Sequence, residues 1–356
     1  MIGGGQAGLA AGFYLRRTGL DFVILDAQDD PGGAWLHGWE SLRLFSPAQH
    51  SSLPGWPMPA TGTEYPSAIH VVDYLTAYEK RYELPVHRPV QVEGVHRGGA
   101  RLRVDTGQGS WLAKRVISAT GTWWQPYLPH YPGRAAFQGR QLHTVEYRTP
   151  DELRGRRVVI VGGGNSAAQI LADLSGLLGT HVTWVTRRPP RLLPDHVDGR
   201  ALFDIATRRR AALLNGDGSG DGGVAGLGDI VAVRPVRAAR DRGVLKARPL
   251  FGHLTKTGVG WPDGAHLDCD VIIWCTGFRP ALRHLAPLRL GDRQGHIPVA
   301  ATRAIGEPRL HLVGYGDWTG PASATLIGAG MNARDAVDVI ARDLGARPVH
   351  RVRAAG

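Results

Sequence analysis

Two stretches of this chain repeat one pattern: a short apolar strand, a glycine turn and a helix. The first, MIGGGQAGLAAGFYLRR, puts Gly3, Gly5 and Gly8 in GxGxxG spacing. The second, RVVIVGGGNSAAQILADL, puts Gly162, Gly164 and Ala167 in GxGxxA spacing. In such a turn the first glycine permits the tight reversal and the second lets the backbone approach a pyrophosphate. The third small residue lets the helix pack on its strand. Both regions are thereby committed to α/β units that hold a dinucleotide.

The next strand in each unit ends in charge of opposite sign. The strand DFVILD delivers Asp26, 18 positions after Gly8. A carboxylate there accepts hydrogen bonds from an adenosine ribose and repels a 2′-phosphate, so this turn is expected to take FAD or NAD rather than NADP. The strand HVTWVTRR delivers Arg187 and Arg188, the former 20 positions after Ala167. Guanidinium forks match a phosphate dianion, so the second turn is expected to take NADPH, with NADH as the alternative donor. Gln6, Ala7 and Ala27 join the first contact set; Asn165 and Ser166 join the second.

A chain of 356 residues exceeds one ordinary core, and two domains are expected. The fold class read here is α/β, with two Rossmann-like dinucleotide domains. A NAD(P)H domain, 137–278, is inserted into a discontinuous FAD domain, 1–136 and 279–356. The strand before the first turn is reduced to Met1 and Ile2, so a late or truncated start is expected, at some cost to stability and cofactor retention.

Between the turns, PGGAWLHGWESLRLFSPAQHSSLPGWPMP is a coil rich in Trp and Pro, costly to leave in water. It is expected to wall a flavin ring through Gly33, Ala34, Trp35 and Leu42. A helix is predicted over 67–82, capped by Ser67, with Ile69, Val72, Leu75 and Tyr78 inward. Alternating strands come next, PVQVEGVHR, ARLRVD and SWLAKRVISATG, with Val90 assigned to the flavin side. Small residues at Ala119, Thr120 and Gly121 let that last strand end pass close to a nucleotide. Cys275, Thr276 and Gly277 echo them in the strand DVIIWCTG. Residues 214–229, rich in Gly and Asp, are expected to form a mobile loop, and 280–308 a polar connection. Near the C-terminus, Gly316 and Asp317 end a strand, and amides around Thr325 and Leu326 at a helix start face the flavin.

Composition narrows the function. The chain is 43% hydrophobic and 21% charged, as a globular protein is. No apolar run nears the ~18 residues a bilayer requires, and no signal-peptide pattern precedes the first turn. A cytoplasmic protein without a membrane partner is expected. The net charge of +11 comes from scattered Arg, without an aromatic-basic module or zinc spacing, which argues against a nucleic-acid partner. Cys269 and Cys275 sit in one strand, roughly 20 Å apart when extended, beyond disulfide reach. No metal site is expected. A homodimer is the assembly considered.

The segment between the two turns, FQGRQLHTVEY, which a short polar linker at 148–156 follows, fits FxGxxxHxxxY through Phe137, Gly139, His143 and Tyr147. It resembles the identifying segment of class B flavin monooxygenases, and the order of motifs resembles that family across essentially the whole chain. The Tyr147 ending is similar to flavin-containing monooxygenases rather than Baeyer-Villiger enzymes. GGAWLHGWESLRLFSP and VGYGDWTGPASATLIG are similar to bacterial members, including those of arsenic-resistance operons.

The resemblance implies a mechanism. NADPH reduces the flavin, O2 forms a 4a-hydroperoxide, and one oxygen passes to a soft nucleophile such as a sulfide or amine, an arsenical being a sharper guess. Since the cofactor carries the chemistry, no acid-base dyad is required. Phe45 stands where the family often has an Asn, which raises the alternative of an NADPH oxidase. Phe45, Ser46 and His143 are the candidate catalytic positions, His143 with a family role in the hinge. A disulfide-reductase-like flavoprotein needs a dithiol beside the flavin, and a non-enzymatic flavin or nucleotide sensor would consume neither NADPH nor O2.

Overall fold

The computed structural model describes residues 1–60, 62, 65–195, 197, 201, 204, 230–292, 296–316, 318–320 and 322–349. The chain divides into two compact units. The first comprises Met1–Leu36, Pro47–Trp124 and Pro280–Gly356; the second comprises His37–Ser46 and Gln125–Arg279. The break falls at 124/125 rather than the expected 136/137. Residues 37–46 leave the first unit altogether, because Trp39 and Leu44 are buried and the Glu40 N–H donates to the Arg148 carbonyl at 2.9 Å. The expected Gly/Asp loop at 214–229 lies outside the described residues.

The first unit is built on a parallel sheet. Val86–His87 pairs with Ile24–Leu25, and Val116–Ser118 pairs with Leu310–Leu312. Ile2 joins these halves, bridging Leu25 on one side and Ser118 on the other. Its N–H donates to the Ile117 carbonyl and its carbonyl accepts from Ala119. Two residues thus occupy the sheet centre from which the first glycine turn departs into helix α1, Gln6–Leu15.

Helix α2, Ala68–Arg81, has Ser67 as N-cap, its hydroxyl accepting the His70 N–H at 3.3 Å. The inward stripe is Ala68, Val71, Tyr74, Leu75 and Tyr78, whereas Ile69 is 67% exposed. Strict three-residue spacing drifts off one face, and the mixed three and four spacing seen here stays on it.

SWLAKRVIS, expected as one strand, is two. Gly109–Ala113 closes an antiparallel meander with Val92–Gly98 and Arg101–Thr106, and Val116–Ser118 enters the parallel sheet. The stretch 280–308 is more than polar connection: Leu285, Leu288, Ile297 and Ala304 are buried with Val95, Leu102 and Leu310. A cavity of about 600 Å³ is lined by Met1, Phe22, Val23, Trp111 and Ile340. It lies at the starting ends of the parallel strands, opposite the glycine turn, and ligands in such sheets bind at the other ends.

The second unit has a five-stranded parallel sheet in the order Ala247–Pro249, His181–Thr186, Arg157–Val161, Val271–Trp274, Arg140–His143. Val158–Val161 and Val271–Trp274 are buried throughout, as strands covered on both faces must be. Helix α3, Asn165–Leu174, comes directly after its glycine turn, and α4, Arg234–Asp241, packs on it. Helix α5, Leu326–Asp343, belongs to the first unit and packs closely on α1.

Candidate dinucleotide sites

Gly3 has φ +99°, and a Cβ there would stand 2.5 Å from the Ala119 carbonyl oxygen. At Gly8 a Cβ would overlap the Gly3 carbonyl, so helix and turn touch through bare backbone. Gly33, at φ +58°, brings its own backbone against Gly5. The Gln6 amide ties these pieces together, donating to the Ala324 carbonyl at 2.7 Å and accepting from the Trp35 indole at 2.9 Å. The structure therefore gathers Gly3, Gly5, Gln6, Ala7, Gly8, Gly33, Ala34, Trp35 and Ala119 around one turn.

Asp26 lies beside that turn, since a Cβ on Gly4 would be 2.7 Å from its carboxylate. The carboxylate is buried and takes Arg88 Nε at 2.9 Å, while Arg88 grips Glu79 through both terminal nitrogens at 2.6 and 2.7 Å. Arg88 is a site residue that sequence reasoning misses; no local spacing links it to Asp26. Ala27 is exposed next to Asp26. Val90 contributes its amide to the Asp26 carbonyl at 2.7 Å, and its side chain is core, not cofactor wall.

At the other expected contact, the Thr325 amide donates to the Ala322 carbonyl and its hydroxyl caps α5 by accepting from Gly328. Thr325 thus spends its own amide within the turn, leaving Leu326 as the remaining candidate. Gly316 has φ +87°; Asp317 lies outside the described residues.

In the second unit Gly162, at φ +137°, abuts the Cys275 carbonyl. Around Gly164 nothing lies within 4 Å of where a Cβ would be, which is the open space a pyrophosphate needs. Arg187 and Arg188 are exposed and, with Gly163, Pro189 and Pro190, line a cleft of about 190 Å³. Ala167 is fully buried on the strand side. Asn165 spends its side-chain oxygen on the Val231 N–H at 2.8 Å, so it is a brace as well as a cofactor candidate.

Both turn-borne helices meet the chemical demand of a bound dinucleotide. At α1 and α3 the N-cap is a glycine, no side chain caps the amides, and no acid occurs in the first turn. By contrast, α2 and α5 are capped by their own Ser67 and Thr325. Uncapped amides at the positive end of a helix are a phosphate-binding arrangement.

The FxGxxxHxxxY residues act as braces of the second unit. Phe137 is core, and a Cβ on Gly139 would stand 2.6 Å from the Asp270 carbonyl. Tyr147 is buried with its ring edge toward Trp39, centroids 6.2 Å apart. His143 Nδ1 accepts the Val145 N–H at 3.3 Å and its Nε2 faces the Gly277 carbonyl at 3.1 Å. The ring is therefore the neutral Nε2–H tautomer, and burial lowers its pKa. With both nitrogens holding backbone, His143 is a structural pin rather than an acid or base.

Leu42, Phe45 and Ser46 fall in the 37–46 segment, which belongs to the second unit, whereas Gly33, Ala34 and Trp35 belong to the first. That segment is fixed by Ser41, whose hydroxyl donates to Asp173 of α3, and by Arg148 on the His37 carbonyl at 2.6 Å. Burial raises the Asp173 carboxyl to about 6. Burial likewise pushes both thiols, Cys269 and Cys275, up to about 12, so neither is a ready nucleophile. Thr276 donates to the Tyr127 carbonyl at 2.5 Å, and Gly277 accepts the Tyr127 N–H at 2.9 Å.

A sequence profile of the pyridine nucleotide-disulphide oxidoreductase family matches residues 1–198, more than half of the chain. A flavin monooxygenase mutant from Stenotrophomonas maltophilia is 50% identical with a TM-score of 0.88, covering 96% of this chain and 97% of the other. The chain belongs to the flavin-containing monooxygenases. It is an oxidoreductase whose cofactors are a flavin and a nicotinamide dinucleotide. Among curated relatives, the uncharacterized oxidoreductase CzcO of Bacillus subtilis is 28% identical, over 94% of this chain and 96% of its own. Indole-3-pyruvate monooxygenase YUCCA1 of Oryza sativa is 28% identical over 78% and 76%. No helix among the described residues of this monooxygenase is long and apolar enough to cross a membrane.

Proposed function

We propose that this monooxygenase spends NADPH and O2 to place one oxygen atom on a soft nucleophile, a sulfide or amine, with an arsenical as a narrower substrate. NADH serves as the weaker donor. The observation that carries the reading is the contrast between two otherwise equal sites. Each has a glycine turn and an uncapped helix start, but one strand ends in buried Asp26 and the other in exposed Arg187 and Arg188. FAD is assigned to the first unit and NADPH to the second, which makes the nicotinamide domain an insertion in the flavin domain.

When bound, the flavin would supply the redox chemistry between a reduced nicotinamide and O2. The protein's part is to bind and orient. Uncapped amides of α1 and α3 take the two pyrophosphates. Asp26 takes an adenosine ribose, with Arg88 holding the carboxylate in place. Arg187 and Arg188 take the 2′-phosphate. Trp35, held by Gln6, supplies an apolar wall. The substrate is a small molecule of the cytoplasm in this reading.

The test is oxygen uptake by FAD-loaded enzyme with NADPH, with and without a thioether, using ¹⁸O2. Incorporation of one labelled atom into a sulfoxide is expected. NADPH consumed with stoichiometric hydrogen peroxide and no sulfoxide would favour the oxidase reading, to which Phe45 points.

A further inference from the structure

Tyr315, which neither glycine turn nor charged strand tip singles out, stands at the centre of a buried network in the first unit. Its phenolic oxygen lies 2.6 Å from Ser118 Oγ, 2.7 Å from Thr120 Oγ1 and 3.2 Å from the Thr120 amide nitrogen. Ser118 lies 3.0 Å from His284 Nε2, and Thr120 Oγ1 lies 2.7 Å from the Ala281 carbonyl. Tyr315 is 6% exposed, Ser118 0% and His284 7%, with Thr120 partly buried beside them.

Counting hydrogens fixes the direction. The Ala281 carbonyl only accepts, so the Thr120 hydroxyl donates to it and must accept from the phenol. The phenol, its one hydrogen spent, accepts from the Thr120 amide and from the Ser118 hydroxyl. Ser118 then accepts from His284, which carries its proton on Nε2. Burial lowers the His284 pKa to about 4, which keeps that ring neutral.

One oxygen atom therefore grips Thr120 at both amide and hydroxyl. Thr120 comes after Ala119, whose carbonyl backs Gly3, and precedes Gly121 at φ +65°. Tyr315 itself precedes Gly316, and its amide donates to the Thr319 hydroxyl at 3.2 Å. Three segments that carry expected flavin contacts are thus referenced to a single side chain.

We infer that Tyr315 is a positioning residue of the flavin site, holding the Ala119–Gly121 turn in the conformation against which the dinucleotide lies. The inference rests on the assignment of FAD to the first unit. A phenol with a merely structural role would support the fold and leave FAD affinity in step with stability.

The experiment measures the Kd of FAD for flavin-stripped protein by fluorescence quenching, beside the urea midpoint of the same apoprotein. Tyr315→Phe removes the phenolic partner of both the Thr120 amide and hydroxyl, leaving the hydroxyl only its bond to Ala281, and is expected to raise that Kd about 10-fold. Ser118→Ala cuts only the other arm; it is expected to lower the midpoint while leaving the Kd within about 2-fold, because the grip on Thr120 survives. An unchanged Kd in Tyr315→Phe, or equal weakening by both variants, overturns the inference. If Tyr315→Phe does not fold, Thr120→Val carries the test: it removes the hydroxyl arm and keeps the amide arm, so a smaller rise of about 3-fold is expected, and an unchanged Kd overturns the inference. Failure of the unaltered protein to bind FAD would overturn the assignment beneath it, a result distinct from either.

Discussion

Replacing Arg187 and Arg188 together by Ala removes two exposed guanidinium groups from the rim of a cleft of about 190 Å³. A hydrogen bond to a charged group is worth about 1.5–3 kcal/mol. Solvent around an exposed pair reduces it toward ~1 kcal/mol. Two contacts to a 2′-phosphate then supply at least ~2 kcal/mol, about 30-fold in affinity. NADH lacks that phosphate, so its KM should move less than about 3-fold. The assay is the KM for each donor in air-saturated buffer with FAD-loaded enzyme, supported by titration of NADP⁺ and NAD⁺.

Ionic strength gives an internal check. The Debye length is ~8 Å at 0.15 M and shorter at higher salt. The NADPH preference of the unaltered enzyme should therefore shrink as salt rises, while that of the double variant stays flat. Equal increases in both KM values, or a preference indifferent to both substitution and salt, would refute the assignment of the second turn.

Three further outcomes are expected from the geometry. Gly8→Ala puts a Cβ into the Gly3 carbonyl, whereas Gly164→Ala meets nothing within 4 Å. The first should lower the Tm and the flavin content together, by an overpacking cost of about 1–3 kcal/mol; the second should keep the Tm and lose NADPH affinity. Arg88→Ala leaves the buried Asp26 carboxylate and the part-buried Glu79 carboxylate without their shared cation, so urea unfolding should show a loss of about 1–3 kcal/mol; a loss under ~0.5 kcal/mol would contradict that pairing. Asp173, raised by burial from 3.8 to about 6, contributes stability that is complete below its unfolded pKa and lost as pH rises through about 6. At 1.36 kcal/mol per unit this amounts to about 3 kcal/mol. Asp173→Asn cannot ionise, so unfolding titrations should show it gaining on the unaltered protein at pH 8 and not at pH 4. Parallel curves at both pH values would show that the carboxyl is not the cause.

The sequence by itself determined the two strand-turn-helix units, the charge at each strand tip, the Ser67 cap and the position of the FxGxxxHxxxY motif between the turns. Each of these is decided within about 20 residues, by backbone freedom at glycine, helix-end amides or side-chain charge, and such rules act inside a short window.

Tertiary structure decided the rest. Arg88 reaches Asp26 across 62 positions and Tyr315 reaches Thr120 across 195, distances over which no local pattern operates. Whether SWLAKRVIS is one strand or two depends on which neighbours its halves pair with, and β-pairing is set by packing rather than by propensity. The 37–46 segment joins the second unit through Trp39 against Tyr147 and the Glu40 N–H on the Arg148 carbonyl, and His143 became a pin because two backbone groups needed its nitrogens. Burial and hydrogen-bond satisfaction are properties of the folded whole, so they assign roles that residue type alone leaves open.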